Sequence, residues 1–122
     1  MHISLETPEH HAIQAYSDTQ IQINSIIYTG SLIVSKQEII TDVTIKNIKE
    51  MDDKYIVLLL QSKPEIVIIG HPNAGTLPPL TVITELSQQG IGMEFMSIGA
   101  ACRTYNVLLS EERAVVLGVI FK

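Results

Sequence analysis

The sequence predicts an α/β fold in three layers, with a partly parallel central sheet and a small antiparallel β section at its side. Three observations carry this. The second half of the chain alternates short apolar runs with segments of helical periodicity. The first half alternates apolar and polar residues as half-buried strands do. The core material is aliphatic: 46% of the 122 residues are hydrophobic but only 5% are aromatic, and Trp is absent. A chain of this length is expected to form one domain, spanning 1–122, and to bury a core without covalent staples.

Taken in order, "AIQAYS" (12–17) and "IQINSIIYTGSLIVS" (21–35) read as strands, with Gly30–Ser31 as a turn between two of them. "EIITDV" (38–43) reads as a further short strand. In "NIKEMDDKYIVLLLQSK" (47–63), Ile48, Met51, Tyr55, Leu58 and Leu59 fall at helical spacing. Lys63 followed by Pro64 is a stop signal. "EIVIIG" (65–70) is a continuous apolar run ending in glycine, the pattern of a strand covered on both faces. A Pro- and Gly-rich loop, 71–79, leads into a helix over 79–90. A strand over 91–96, a helix over 100–110 and a last strand over 113–121 complete the chain. The order strand–helix–strand–helix–strand calls for a parallel sheet. The short "EE" connection before the last strand leaves room for one antiparallel member.

Charge and composition narrow the function. The net charge is −5, from 13 acidic and 8 scattered basic residues. Nucleic-acid binding requires a concentrated basic face, and an anionic membrane surface requires the same, so neither is expected. No apolar run approaches the roughly 20 residues of a spanning helix. "MHISLETPEHHAIQ" has the pattern of neither a secretory signal nor a transit peptide. A lone cysteine forms no internal disulfide, as suits a reducing compartment. The expected location is cytoplasmic. The oligomeric expectation is a monomer or homodimer.

Ligands of open α/β sheets bind where loops follow the carboxyl ends of strands. Two such loops stand out, 71–78 and 97–99. They face one another across a cleft if their strands are neighbours. "GHPNAGTL" has the glycine spacing of a phosphate-binding loop, but Thr76 and Leu77 stand where Lys and Ser or Thr belong. That argues against nucleotide hydrolysis. "GIGMEF" lacks a third glycine and precedes a strand, so it is no dinucleotide fingerprint. His10 and His11 are adjacent, and no Cys or His pair has zinc spacing; no metal and no cofactor are expected.

"SIGAACRTYN" (97–106) holds Cys102, the sole cysteine, beside Arg103, one of two arginines. A helix start and a neighbouring cation lower a thiol pKa, and His71 is the one histidine with a route to act as its base. The alternative is a packed thiol, the commoner fate of free cysteine. Arg103 near a helix start opposes the dipole. It either pairs with a carboxylate, Glu94 being the candidate, or contacts an anion or partner.

"PEIVIIG" followed by "GIGMEFMSIGAACRTYNVLLSEERAVVLGVIF" resembles the family that includes the mitochondrial complex I assembly factor of this fold and the adipogenesis-associated Mth-type domain protein. The resemblance extends, more weakly, through "IYTGSLIVS". It implies the Mth-like three-layer β/α fold with a mixed central sheet. It also implies a site on the surface formed by "GAACRTYN" and the glycine loop. Gly70, Cys102, Arg103, Thr104 and Asn106 carry over by matching position. "GHPNAG" departs from the family pattern, in which Thr or Ser and then Gly follow the strand. The expected cleft thus comprises Gly70, His71, Glu94, Gly99, Cys102, Arg103, Thr104 and Asn106. The functional expectation is a bacterial-type, non-enzymatic protein-binding or complex-assembly module with an unidentified protein partner. The alternative is a small-molecule or anion-binding protein, enzymatic or not, using the cleft between 71–78 and 97–99.

Overall fold

The computed structural model describes residues 11–73 and 75–122. Its elements run β1 (Ala15–Tyr16), β2 (Ile21–Ile23), β3 (Ile26–Tyr28), β4 (Leu32–Ser35), β5 (Ile39–Ile40), α1 (Asp53–Leu60), β6 (Ile66–Gly70), α2 (Leu80–Gln88), β7 (Gly92–Met96), α3 (Ile98–Ser110) and β8 (Val115–Val119). A central five-stranded sheet has the order β5-β4-β8-β6-β7, and β1-β2-β3 form a separate antiparallel sheet. β6 pairs in parallel with both β7 and β8, whereas β4 is antiparallel to β8 and β5. The one antiparallel member is therefore β4, not the last strand; β5, reversed again, runs parallel to β8. The whole of α3 serves as the crossover that keeps β8 parallel to its neighbour.

The period of two along the central strands builds two cores. Ile68, Val115, Leu117 and Val119 face α3 and the small sheet, with Ala101, Tyr105, Ile21 and Ile23. Val67, Ile69, Val116 and Ile120 face the opposite way, onto Tyr55, Leu59, Val82 and Leu86 from α1 and α2. Helices on one side and a helix plus a small sheet on the other give the three layers.

Local differences from the expected elements have local causes. The stretch 21–35 contains a second turn: Asn24 and Ser25 both have positive φ, at 51° and 68°. They join β2 to β3 in a two-residue hairpin, a geometry asparagine tolerates better than most residues. The helical pattern over 47–63 splits into a 3-10 turn at Ile48–Glu50 and α1. The Asp52 side chain restarts the helix by accepting the Tyr55 N–H at 3.0 Å. α3 begins at Ile98 rather than 100, because Ser97 caps it by accepting from the Ala100 N–H.

One core feature is unsatisfied. The Tyr55 hydroxyl is buried with no hydrogen-bond partner among the described residues, packed over Gly118. Burial raises its pKa far above the ordinary phenol value. Tyr55→Phe is expected to raise stability by about 1 kcal/mol, since it removes an unpaired buried donor without opening a cavity. Urea unfolding checks this; a loss of stability would show that the hydroxyl is satisfied.

Candidate functional site

β6 and β7 are neighbours, so the turns leaving their carboxyl ends meet. The His71 N–H extends the β6–β7 ladder by donating to the Met96 carbonyl at 3.1 Å. Beyond that bond lies a cleft of about 560 Å³, lined by His71 and Pro72 from one turn and Ser97 and Ile98 from the other. Its remaining walls are Asp18 and Thr19 from the β1–β2 turn, Thr29, and Phe121 and Lys122 after β8. Ser17 shapes the β1–β2 turn: its hydroxyl accepts the Thr19 and Gln20 N–H groups, both at 3.2 Å. The Phe121 N–H donates to the buried Ser31 hydroxyl at 2.9 Å, fixing the wall after β8.

His71 is only 3% exposed. Its Nδ1 accepts the Asn73 N–H at 3.2 Å, so the neutral ring carries its proton on Nε2. Burial lowers its pKa below the ordinary histidine value and favours that neutral form.

The other expected site residues fall elsewhere. Gly70 is buried where α3 crosses β6; a Cβ there would lie 2.7 Å from the Ala101 Cβ. Its role is close packing. Cys102 is fully buried in the core between α3 and the sheet. Burial pushes its thiol up to about 12, against a smaller downward pull from Arg103. The helix-start argument for a low thiol pKa is outweighed by desolvation. The folded protein is expected to resist iodoacetamide at pH 8, with alkylation of Cys102 appearing only in denaturant. Rapid labelling of the native state would contradict this placement. Asn106 does not approach the cleft: its Oδ1 accepts the Ile13 N–H at 2.8 Å and its Nδ2 donates to the Ile13 carbonyl at 2.9 Å. Thr104 donates to the Met96 sulfur at 3.5 Å. Thr104 and Glu94 line a separate groove between β7 and α3.

Arg103 does not pair with Glu94. Its guanidinium donates to the Tyr16 hydroxyl at 2.7 Å and lies 5.8 Å from the centre of that ring. The Tyr16 ring covers Gly99 closely enough that a Cβ there would stand 3.1 Å from it. Gly99, Arg103 and Val107 recur every fourth residue and share one face of α3. Tyr16 is 39% exposed and Val107 55%, and Arg103 is exposed as well. The structure thus separates two places: a cleft that takes His71 from the expected set, and an adjacent α3 face that takes Gly99 and Arg103. Tyr16 and the Asp18, Thr19, Thr29, Phe121 and Lys122 walls were not among the expected residues; no spacing signal links them to residues 71 or 103. Among the described residues, no three His, Cys, Asp or Glu side chains gather as metal ligands do. His10, of the adjacent histidine pair, lies outside the described residues. No helix among the described residues is long and apolar enough to cross a membrane.

These features define a class: three-layer β/α proteins in which a small antiparallel sheet lies against the last helix, on one face of a mixed five-stranded sheet. Over residues 13–120 the chain matches the family model described as "Protein of unknown function (DUF498/DUF598)", and it belongs to that family. It is 34% identical over 89 residues, 72% of each chain, to the "13 kDa major membrane protein" of Francisella tularensis subsp. holarctica. Among solved structures it is similar to a Xanthomonas campestris protein, XCC1710, with a TM-score of 0.81 and 28% identity over 98% of this chain and 92% of that one. A structure described as an outer membrane protein from Bartonella henselae gives a TM-score of 0.79 at 26% identity, covering 95% and 98%. A Bordetella pertussis protein described as a Mth938-like domain gives 0.80 at 19% identity, covering 98% and 90%, and shows the shared fold. The Mth-like fold expected from the sequence is the fold observed. None of these descriptions speaks of complex assembly.

Proposed function

We propose that this chain is a non-enzymatic protein-binding module that acts in assembling a larger complex, and that its contact surface is the α3 face of Tyr16, Arg103 and Val107. The observation that carries this reading is the Tyr16–Arg103 pair, held by a 2.7 Å hydrogen bond. Tyrosine and arginine dominate the binding energy of protein interfaces. A side chain already fixed in one orientation loses less entropy when a partner arrives. Val107, one turn along, adds an exposed apolar contact. The sealed Cys102 supports a binding role over nucleophilic catalysis. Two relatives carry membrane-protein names, which fits attachment to a membrane complex through protein contacts.

Affinity isolation from the native host tests the proposal with matched charge changes. Arg103→Ala and Tyr16→Ala should each reduce recovery of the specific partner by about tenfold, the effect of losing one interface anchor. Arg113→Ala removes the same charge from an exposed pair with Glu65 at the other end of the sheet and should recover the partner in full. Equal recovery with all three variants would overturn the assignment.

A further inference from the structure

We infer that the cleft at the carboxyl ends of β6 and β7 binds a small organic anion, its carboxylate or phosphate head held by His71 and the first turn of α3. This site stands apart from the protein-binding face, since neither Arg103 nor Val107 lines it. Three independent features meet there.

The first is the histidine. At 3% exposure His71 is more than nine-tenths buried, yet it lines the cleft. Its Nδ1 is occupied by the Asn73 N–H. The proton is thereby confined to Nε2, which has no acceptor among the described protein groups. Nε2 is not sealed off, since the Tyr55 hydroxyl is the one buried side-chain polar atom without a partner among the described residues. Nε2 opens to the cleft, where an anionic oxygen can accept its proton in place of water.

The second is the helix end. The Ser97 hydroxyl accepts the Ala100 N–H, and the Ser97 carbonyl accepts the Ala101 N–H. The Ile98 and Gly99 N–H groups remain without intrahelical partners. Ser97 and Ile98 form the wall beside His71, and a 13-residue helix places its positive end there.

The third is size and character. About 560 Å³ is the volume of a small-molecule site rather than of an inorganic ion. Phe121, Pro72 and Ile98 offer apolar contact for an organic body, and Thr19 and Thr29 offer hydroxyls. The two charged walls, Asp18 and Lys122, oppose one another, which leaves the histidine and the helix end as the net attraction.

Amide NMR titration tests the site, with phenyl phosphate and benzoate as separate probes and sodium chloride at matched ionic strength as control. Saturable shifts are expected at His71, Ile98 and Gly99 with one or both probes, and the stronger arm identifies the head group. His71→Phe fills the same space without the donor and should weaken binding by about tenfold or more. His71→Gln restores an N–H near the Nε2 position and should bind within about threefold of the parent. Absence of saturable shifts with both probes, shifts reproduced by chloride, or equal binding by His71→Phe would overturn the inference. Equal weakening in the Phe and Gln variants, both folded, would also overturn the donor role; where His71→Phe unfolds, His71→Leu, which likewise lacks the donor, replaces it.

Discussion

Gly70→Ala is expected to destabilise the protein by about 2–3 kcal/mol, near the upper end of overpacking costs. The added methyl would lie 2.7 Å from the Ala101 Cβ and 3.1 Å from the Ile98 Cα. Neither atom is the end of a flexible side chain. Both move only if the first turns of α3 lift from β6. That shift also drags Ser97 and Ile98 away from His71 and widens the cleft. Gly30→Ala is the control, because a Cβ there meets nothing within 4 Å; it should change stability little. A second variant, Ala101→Gly, removes the 2.7 Å contact and should recover part of the loss when combined with Gly70→Ala. Equal unfolding midpoints for Gly70→Ala and the parent would mean that α3 does not pack on β6 as described.

Asn106→Ala should cost about 2 kcal/mol or more, with an added local consequence. The side-chain amide takes both the N–H and the C=O of Ile13, at 2.8 and 2.9 Å. It does for that residue what a neighbouring strand would do. Ile13 is itself buried, so removing the amide leaves two backbone groups with poor access to water. Tyr105 adds a third tie to the same segment by donating to the His11 carbonyl at 3.1 Å. With Asn106 gone, the chain before β1 is held less firmly, and Tyr16 lies only three residues past Ile13. Amide exchange over residues 12–16 should therefore accelerate more than exchange in β6 or β8. Asn106→Asp keeps an acceptor for the Ile13 N–H but sets a carboxylate against the Ile13 carbonyl. It should be less stable than the parent at neutral pH. If Asn106→Ala leaves both midpoint and exchange unchanged, the helix does not hold this segment.

Much of this architecture was readable along the chain, and the limits follow from what local patterns encode. "EIVIIG" declared a strand buried on both faces, and Val67, Ile68 and Ile69 are fully buried. Ala101, Tyr105 and Leu108 stand at helical spacing and form the inner face of α3; the first two are fully buried, and Leu108 packs against the same core. The hairpin at Asn24–Ser25 was legible in principle from the asparagine, but Gly30 offered the more obvious turn. In the structure, Gly30 lies where the chain passes from one sheet to the other. The sequence marks Arg103 as an unusual charge near a helix start, with Glu94 as the candidate carboxylate and an anion or partner as the alternative. That choice followed proximity in sequence. The actual partner, Tyr16, lies 87 residues away, and periodicity carries no information about such a contact. Asn106 has the same difficulty, since its polar role is directed at a backbone 93 residues away. Cys102 shows a different limit. Its position one turn into a helix argued for a lowered thiol pKa, and only the depth of burial decides the opposite sign. The cleft is legible in part: the meeting of the β6 and β7 turns follows from the topology, whereas the walls from Asp18, Thr29 and Lys122 depend on how the small sheet and β8 fold over it.

On the proposed function, the Tyr16–Arg103–Val107 face of α3 meets a protein partner. Site-specific photo-crosslinking in the native host tests it most directly, with p-benzoylphenylalanine placed at position 107 and, separately, at position 57. Val57 is 66% exposed on α1, across the central sheet from α3, and serves as the reference surface. One discrete adduct is expected from position 107, lost when Arg103→Ala is added, and none of that mass from position 57. The same adduct from both positions, or an adduct at 107 indifferent to Arg103, would contradict the proposal.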